Sequence, residues 1–347
     1  MDMIGRNRHA GFRHLALPAL GLGLSVVAAA VAVQAVDLGR VGQLLLRVDP
    51  RFLALAVGLL AVELLIRAWR WSLLLPVSSG GAVSPTRLVP VSLIGYLGNT
   101  VLPARLGDAA MAVLVGRRER IPIAGAIGSV VLLRVLDTLV LAALVFPAAI
   151  ITGLPTGFVQ AAGLAAAVAV STLLVAQTRL PAAAVGFAMS RIHWAPADML
   201  LDHGLRFLEA MRVMGRWRSF AVAIGMSIAI WTLEAGIYWL ASESLGVGLV
   251  PAAALLVAAV TILGTAIPSA PGYVGTFELA ASTVARALGV EPSTALAYAI
   301  LIHALTAIPL ALGGVAAMAW LGLGVGTLRR SASEAIAEPA AVDRSRP

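Results

Sequence analysis

The chain has no cysteine among its 347 residues. That excludes disulfides, zinc thiolate centres and cysteine nucleophiles, and it leaves the redox compartment unread. Lysine is absent too: all 25 basic residues are arginine. Neither a Schiff-base lysine nor the lysine of a phosphate-binding loop is therefore available. GxSxG, HExxH and acidic metal-cluster patterns are also missing. Charge of either sign is scarce, at 12% of residues. A GC-rich genome accounts for the shared bias towards Arg, Ala, Gly and Val.

Apolar residues make up the difference. The chain is 60% hydrophobic, with a mean hydropathy of +0.95, which calls for several membrane spans. Runs such as 15 to 36 and 123 to 150 meet the about 20 apolar residues needed to cross the hydrocarbon core. No small-residue cleavage site follows the first run, so a signal peptide is not expected. The net charge of +8 does not point to nucleic acid, because the arginines read as lying between spans, where topology explains them.

The pattern predicts an all-α polytopic membrane protein with spans near 15–36, 52–74, 123–148, 155–176, 219–242 and 293–323. Two interrupted apolar stretches, 85–116 and 251–288, are too broken for full spans and read as re-entrant hairpins. Arginine clusters mark the cytoplasmic side: Arg6, Arg8 and Arg13; Arg67, Arg70, Arg87, Arg117, Arg118 and Arg120; Arg179 to Arg218; Arg329 and Arg330. Both termini, residues 1–14 and 326–347, are expected in the cytoplasm, and the polar tail is expected to be disordered. The stretch 37–51, with three Arg against two Asp, runs against this rule on the predicted outer side. Residues 198–217 space Asp198, Asp202, Arg206, Glu209, Arg212 and Arg216 at three- and four-residue steps, a cytoplasmic amphipathic surface helix. One membrane domain is expected over 15–325, with repeat halves near 52–150 and 219–323.

The repeat rests on two similar stretches. GNTVLPARLGD (98–108) and LGTAIPSAPGYVGTFE (263–278) both run through apolar residues and proline to glycine and an acid. The spacing extends outward: Glu63 to Glu234 is 171, Leu97 to Leu263 is 166, Gly107 to Gly275 is 168 and Arg134 to His303 is 169. An odd number of crossings separates the copies, so the halves should be inverted. Inverted repeats with broken helices meeting at mid-membrane are a transporter architecture. The breaks, at Pro103 with Gly107 and at Pro268 and Pro271 with Gly272 and Gly275, should face each other or a cavity, since non-helical backbone needs polar partners at that depth.

Each charged residue in the apolar segments has a functional and a structural reading. Arg105 could bind a phosphate bidentately or pair with Asp108. Asp108 stands where an N-cap belongs and is otherwise a coupling residue. Arg134 and Asp137, three apart on one helix face, either neutralise each other or meet substrate. Glu278 and His303 are candidates for carrying a proton or for holding helices together. Glu63 and Glu234 pose the same question less sharply. Gly107, Gly272 and Gly275 fit tight turns and close helix approach.

Taken together, GNTVLPARLGD, LLRVLD (132–137), AIPSAPGYVGTFE (266–278) and IHA (302–304) resemble the motif series of the flippase-like family. That family includes the membrane domain of lysylphosphatidylglycerol synthase, the multiple peptide resistance factor. The resemblance runs from about 15 to 325 and implies movement of a lipid between leaflets. It points to Asn99, Pro103, Arg105, Gly107, Arg134, Asp137, Pro268, Pro271, Gly272, Gly275, Glu278 and His303. Two positions depart from the pattern, where Glu is usual in place of Asp108 and an Arg often stands at Met111. The chain ends soon after its last span, so aminoacyl transfer is not expected.

The leading expectation is a translocase of a membrane lipid or polyprenyl-phosphate-type intermediate. Its anionic head-group site would use Asn99, Arg105, Asp108, Arg134 and Asp137, with proton coupling through Glu278 and His303. No cofactor, metal or nucleic acid is expected, and an enzyme partner or a second copy is compatible. The expected location is the cell membrane, the inner or cytoplasmic membrane of a bacterium. Two alternatives stay open. One is an intramembrane enzyme, a phosphatase or glycosyl transferase on a lipid carrier; the other is a non-transporting membrane partner docking through 198–217.

Overall fold

A computed structural model describes residues 20–34, 36–76, 82–102, 106–153, 217–265 and 269–324, with isolated positions beyond them. Every regular element among the described residues is helical. In chain order these are α1 (Leu20–Ala32), α2 (Leu38–Leu46), α3 (Pro50–Leu74), α4 (Pro85–Val101), α5 (Leu106–Glu119), α6 (Ile123–Thr152), α7 (Trp217–Ser244), α8 (Pro251–Gly264), a short 3-10 turn (Pro271–Tyr273), α9 (Thr276–Ala287) and α10 (Pro292–Trp320).

The helix starts follow local chemistry. Asp49 accepts from the Arg51 N–H at 2.8 Å, with Pro50 at the first helical position of α3. Asp37 does the same for α2, accepting from Arg40. Such pairings satisfy donors that a helix end leaves open, and proline there gives up no bond. At α10, Glu291 accepts from the Ser293 and Thr294 N–H groups, both at 3.0 Å. These backbone bonds hold the Glu291 carboxyl down at about 2. A carboxyl lowered on folding stabilises above its ordinary value, near 4.5, and that stabilisation fades as pH falls towards 2. Glu291→Ala should therefore cost up to about 1 kcal/mol at neutral pH and nothing near pH 2, measured by thermal unfolding of the purified protein.

Among the described residues, four helices, α3, α6, α7 and α10, are long and apolar enough to cross a membrane. They match the expected spans 52–74, 123–148, 219–242 and 293–323 within a few residues. Their outer faces stay apolar where no neighbour covers them: Leu55 and Leu65 on α3 are 60% and 58% exposed. Only Leu20–Ala32 of the expected first span is described as helix. The expected span 155–176, the surface helix 198–217 and the tail from 331 lie outside the described residues, apart from isolated positions.

The interrupted stretches each fold as two short helices. In the first, α4 and α5 have 17 and 14 residues; in the second, α8 and α9 have 14 and 12. At 1.5 Å per residue all four fall short of the about 30 Å hydrocarbon core. The helices of each hairpin pack on each other, α3 packs on α7, α4 on α10, and α8 on α6. The core divides accordingly, one part centred on α3 to α6 and the other on α6 to α10. Two buried aromatic tips join helices: Trp71 Nε1 donates to Ser129 Oγ at 3.0 Å, and the Tyr298 hydroxyl to the Tyr238 carbonyl at 2.9 Å.

Three expectations need correction. Residues 37–51 are not simply a loop, because α2 occupies most of them, with Val41 buried and Ser293 Oγ accepting from the Asp37 N–H. Gly107 is not a break but the second residue of α5, pressed against α4. Arg67 and Arg70 lie inside α3, not in a loop, so they drop out of the orientation signal.

Candidate functional site

Helices from both halves enclose a cavity of about 380 Å³, within the size range of small-molecule sites. Ionisable acid and base side chains converge on it from four helices, α3, α6, α7 and α10. In α3, Glu63 and Arg67 are one helical turn apart and so share a face. Arg67 Nε donates to Glu63 Oε1 at 2.5 Å, and its Nη2 also reaches Glu234 Oε2 on α7 at 3.3 Å. One guanidinium therefore serves two carboxylates.

One turn further along α3, the buried Arg70 makes a two-pronged contact with Asp137 of α6. Nη1 meets Oδ1, and Nη2 donates to Oδ2 at 3.1 Å. Nη1 also donates to Ser227 Oγ on α7 at 2.6 Å. This pair ties three helices together behind the cavity wall.

Asp108 is the third residue of α5, not its N-cap. Its carboxylate accepts from Asn99 Nδ2 at 2.9 Å and from Arg134 Nη2 at 2.7 Å, while its N–H donates to Asn99 Oδ1 at 3.2 Å. Asn99 thus clamps the hairpin by holding both the backbone and the side chain of one residue. Arg134 spends two nitrogens on a single oxygen of Asp108 and keeps 38% of its side chain exposed. Arg134 and Asp137 do not neutralise each other: one turns to α5, the other to α3. Their three-residue spacing shares a face but does not fix the partners.

In the second half, His303 Nδ1 of α10 lies 2.5 Å from Glu278 Oε1, within hydrogen-bonding distance. The other oxygen, Oε2, accepts from the Gly275 N–H at 2.6 Å, which satisfies one donor at the start of α9. The His303 ring stacks on Phe277 with centroids 4.2 Å apart. Gly275 must be glycine on two counts: its φ is +89°, and a Cβ there would sit 2.3 Å from the Ser25 carbonyl oxygen. Gly272 and Pro271 form the 3-10 turn and Gly272 lines the cavity. Trp231, Tyr238, Tyr273 and Phe277 give this half an aromatic wall.

Of the sequence-derived site residues, Asn99, Arg134, Asp137, Gly272 and His303 line the cavity, while Asp108 and Glu278 hold Arg134 and His303 from behind. Arg105, Pro103 and Pro268 lie outside the described residues. Sequence reasoning missed Arg67 and Arg70 as site residues. The signal was present, since Glu63 and Arg67 stand four apart within an apolar run, but counting arginines by stretch hid it.

The sequence profile of the family described as lysylphosphatidylglycerol synthase TM region matches residues 19–314. Among curated proteins, the glycosyltransferase AglD of Haloferax volcanii is 28% identical over 351 aligned positions, covering 90% of this chain and 56% of that protein. The chain thus spans about half the length of the relative it matches.

Proposed function

Because the chain belongs to the family of lysylphosphatidylglycerol synthase transmembrane regions, we propose that it is a translocase of a lipid or lipid-linked intermediate, with the head group held in the cavity between its two hairpins. The observation that carries this reading is the origin of the cavity walls. They carry Glu63 and Glu234, and Arg134 and His303, pairs that the repeat read in the sequence sets at near-constant spacing. A chamber lined in this paired way is what alternating access between two inverted repeats requires. The exchanged packing of α4 on α10 and α8 on α6, and four helices too short to span, support re-entrant hairpins in the same scheme.

Within this reading Arg134 is the phosphate ligand, since it faces the cavity with spare donor capacity and presents a planar fork. Arg105 stays in the proposal as an expectation from the sequence. Asp137 holds Arg70 instead of meeting cargo. Asn99 and Asp108 orient Arg134, and the aromatic wall receives the uncharged part of the head group. The relative named a glycosyltransferase adds a lipid-linked sugar to the cargo worth testing.

The test is leaflet exchange in proteoliposomes, using a labelled anionic phospholipid and a labelled polyprenyl phosphate. Arg134→Gln should slow exchange roughly tenfold to a hundredfold, matching the loss of a charge-assisted hydrogen bond of about 1.5–3 kcal/mol. Equal rates in the two proteins would remove Arg134 from the site.

A further inference from the structure

The arginine–carboxylate contacts around the cavity do not balance, and among the described residues the imbalance sits in one place. Arg134 pairs with Asp108, Arg70 with Asp137, and His303 with Glu278. That leaves Arg67 alone to face both Glu63 and Glu234. The Glu63 carboxylate is buried, with 1% of its side chain exposed, and its Oε2 has no hydrogen-bond partner. A buried carboxylate oxygen left without a donor is costly, and two carboxylates sharing one counter-charge cannot both ionise cheaply.

The surroundings offer no second cation to this pair among the described residues. From α4 the facing titratable group is Tyr96; from α6 they are Arg134 and Asp137, both already paired; from α7 it is Tyr238; and from α10 it is His303, held by Glu278. Both carboxyls lie against the one Arg67 guanidinium, Glu63 through Oε1 and Glu234 through Oε2. A proton on either would remove one of the two negative charges that this single cation faces.

We propose that Glu63 and Glu234 jointly bind one proton at neutral pH, making the centre of the cavity a proton site separate from the Glu278 and His303 pair. One glutamate comes from α3 and the other from α7, so the proton lies between those helices, and Arg67 neutralises the remaining carboxylate. No covalent step is involved; the ligand is the proton itself. The inference does not depend on what the cavity carries.

Infrared spectroscopy of the purified protein at neutral pH, in light and heavy water, reads this directly. Wild type should show the carbonyl stretch of a protonated carboxylic acid, shifted in heavy water. Glu63→Gln and Glu234→Gln should each lose that band, because either change leaves Arg67 with a single carboxylate. Glu278→Gln should keep it. Absence of any acid band in wild type would overturn the proposal without recourse to a variant. So would a band that survives both Glu63→Gln and Glu234→Gln, or one lost only in Glu278→Gln. Lipid exchange is not the readout, so a band without exchange would count against translocation and leave the proton site standing.

Discussion

Arg70→Leu should cost about 3–5 kcal/mol, the usual consequence of stripping the partner from a buried ion pair. The Arg70 side chain is 3% exposed and that of Asp137 is 9% exposed. Removing the guanidinium leaves a carboxylate among α3, α6 and α7 with no counter-charge, and leaves Ser227 without its donor. A loss of that size is a large share of the about 5–15 kcal/mol that holds a typical domain folded. The single variant should accumulate poorly and run as aggregate in size-exclusion chromatography, and Asp137→Leu should behave alike. The double variant Arg70→Leu/Asp137→Leu should recover much of the yield, because an apolar pair of similar volume is often neutral or better. Recovery would identify the pair as a structural tie. A double variant as poor as the singles would mean that the charges themselves are needed.

The second large effect is Gly107→Ala. A Cβ at Gly107 would lie 2.1 Å from the Gly95 carbonyl oxygen and 2.3 Å from the Asn99 nitrogen. Both are backbone atoms of α4, so no rotamer change relieves the clash, and the hairpin must open. Overpacking of this kind costs about 3 kcal/mol or more. It also displaces Asp108, the next residue, from Asn99 and Arg134. The variant should melt well below wild type and lose exchange beyond its loss of folded protein. Gly58→Ala is the matched control, since nothing lies within 4 Å of a Cβ there. It should melt as wild type or slightly higher, in keeping with the better helix propensity of alanine.

Much of the frame was legible in the residues because length and apolar content mark spans directly. α3, α6, α7 and α10 fall within a few residues of their expected ranges, and both interrupted stretches fold as paired short helices. The near-constant spacing of Glu63 to Glu234 and Arg134 to His303 also pointed at residues that share one cavity. The amphipathic α2 was less visible, since three Arg and two Asp between 37 and 51 read as a loop. The partners of the charges were the hardest to read. Spacing along one helix says which residues share a face, but Arg134 and Asp137 each answer to a different neighbouring helix. Arg70 looked like a topology marker because only packing shows that it is buried. Asp108 looked like an N-cap because the helix start was placed two residues late. In each case the deciding contact is between residues distant in sequence, which no local pattern encodes.

The proposed translocation is tested most directly by leaflet exchange itself. Purified wild type, Arg134→Gln and Gly58→Ala are reconstituted at equal, verified amounts, and loss of outer-leaflet label is followed by an impermeant quencher. The account predicts exchange well above protein-free vesicles for wild type and Gly58→Ala, and a rate roughly tenfold to a hundredfold lower for Arg134→Gln. Wild-type exchange no faster than in protein-free vesicles, for both the phospholipid and the polyprenyl phosphate, would contradict it.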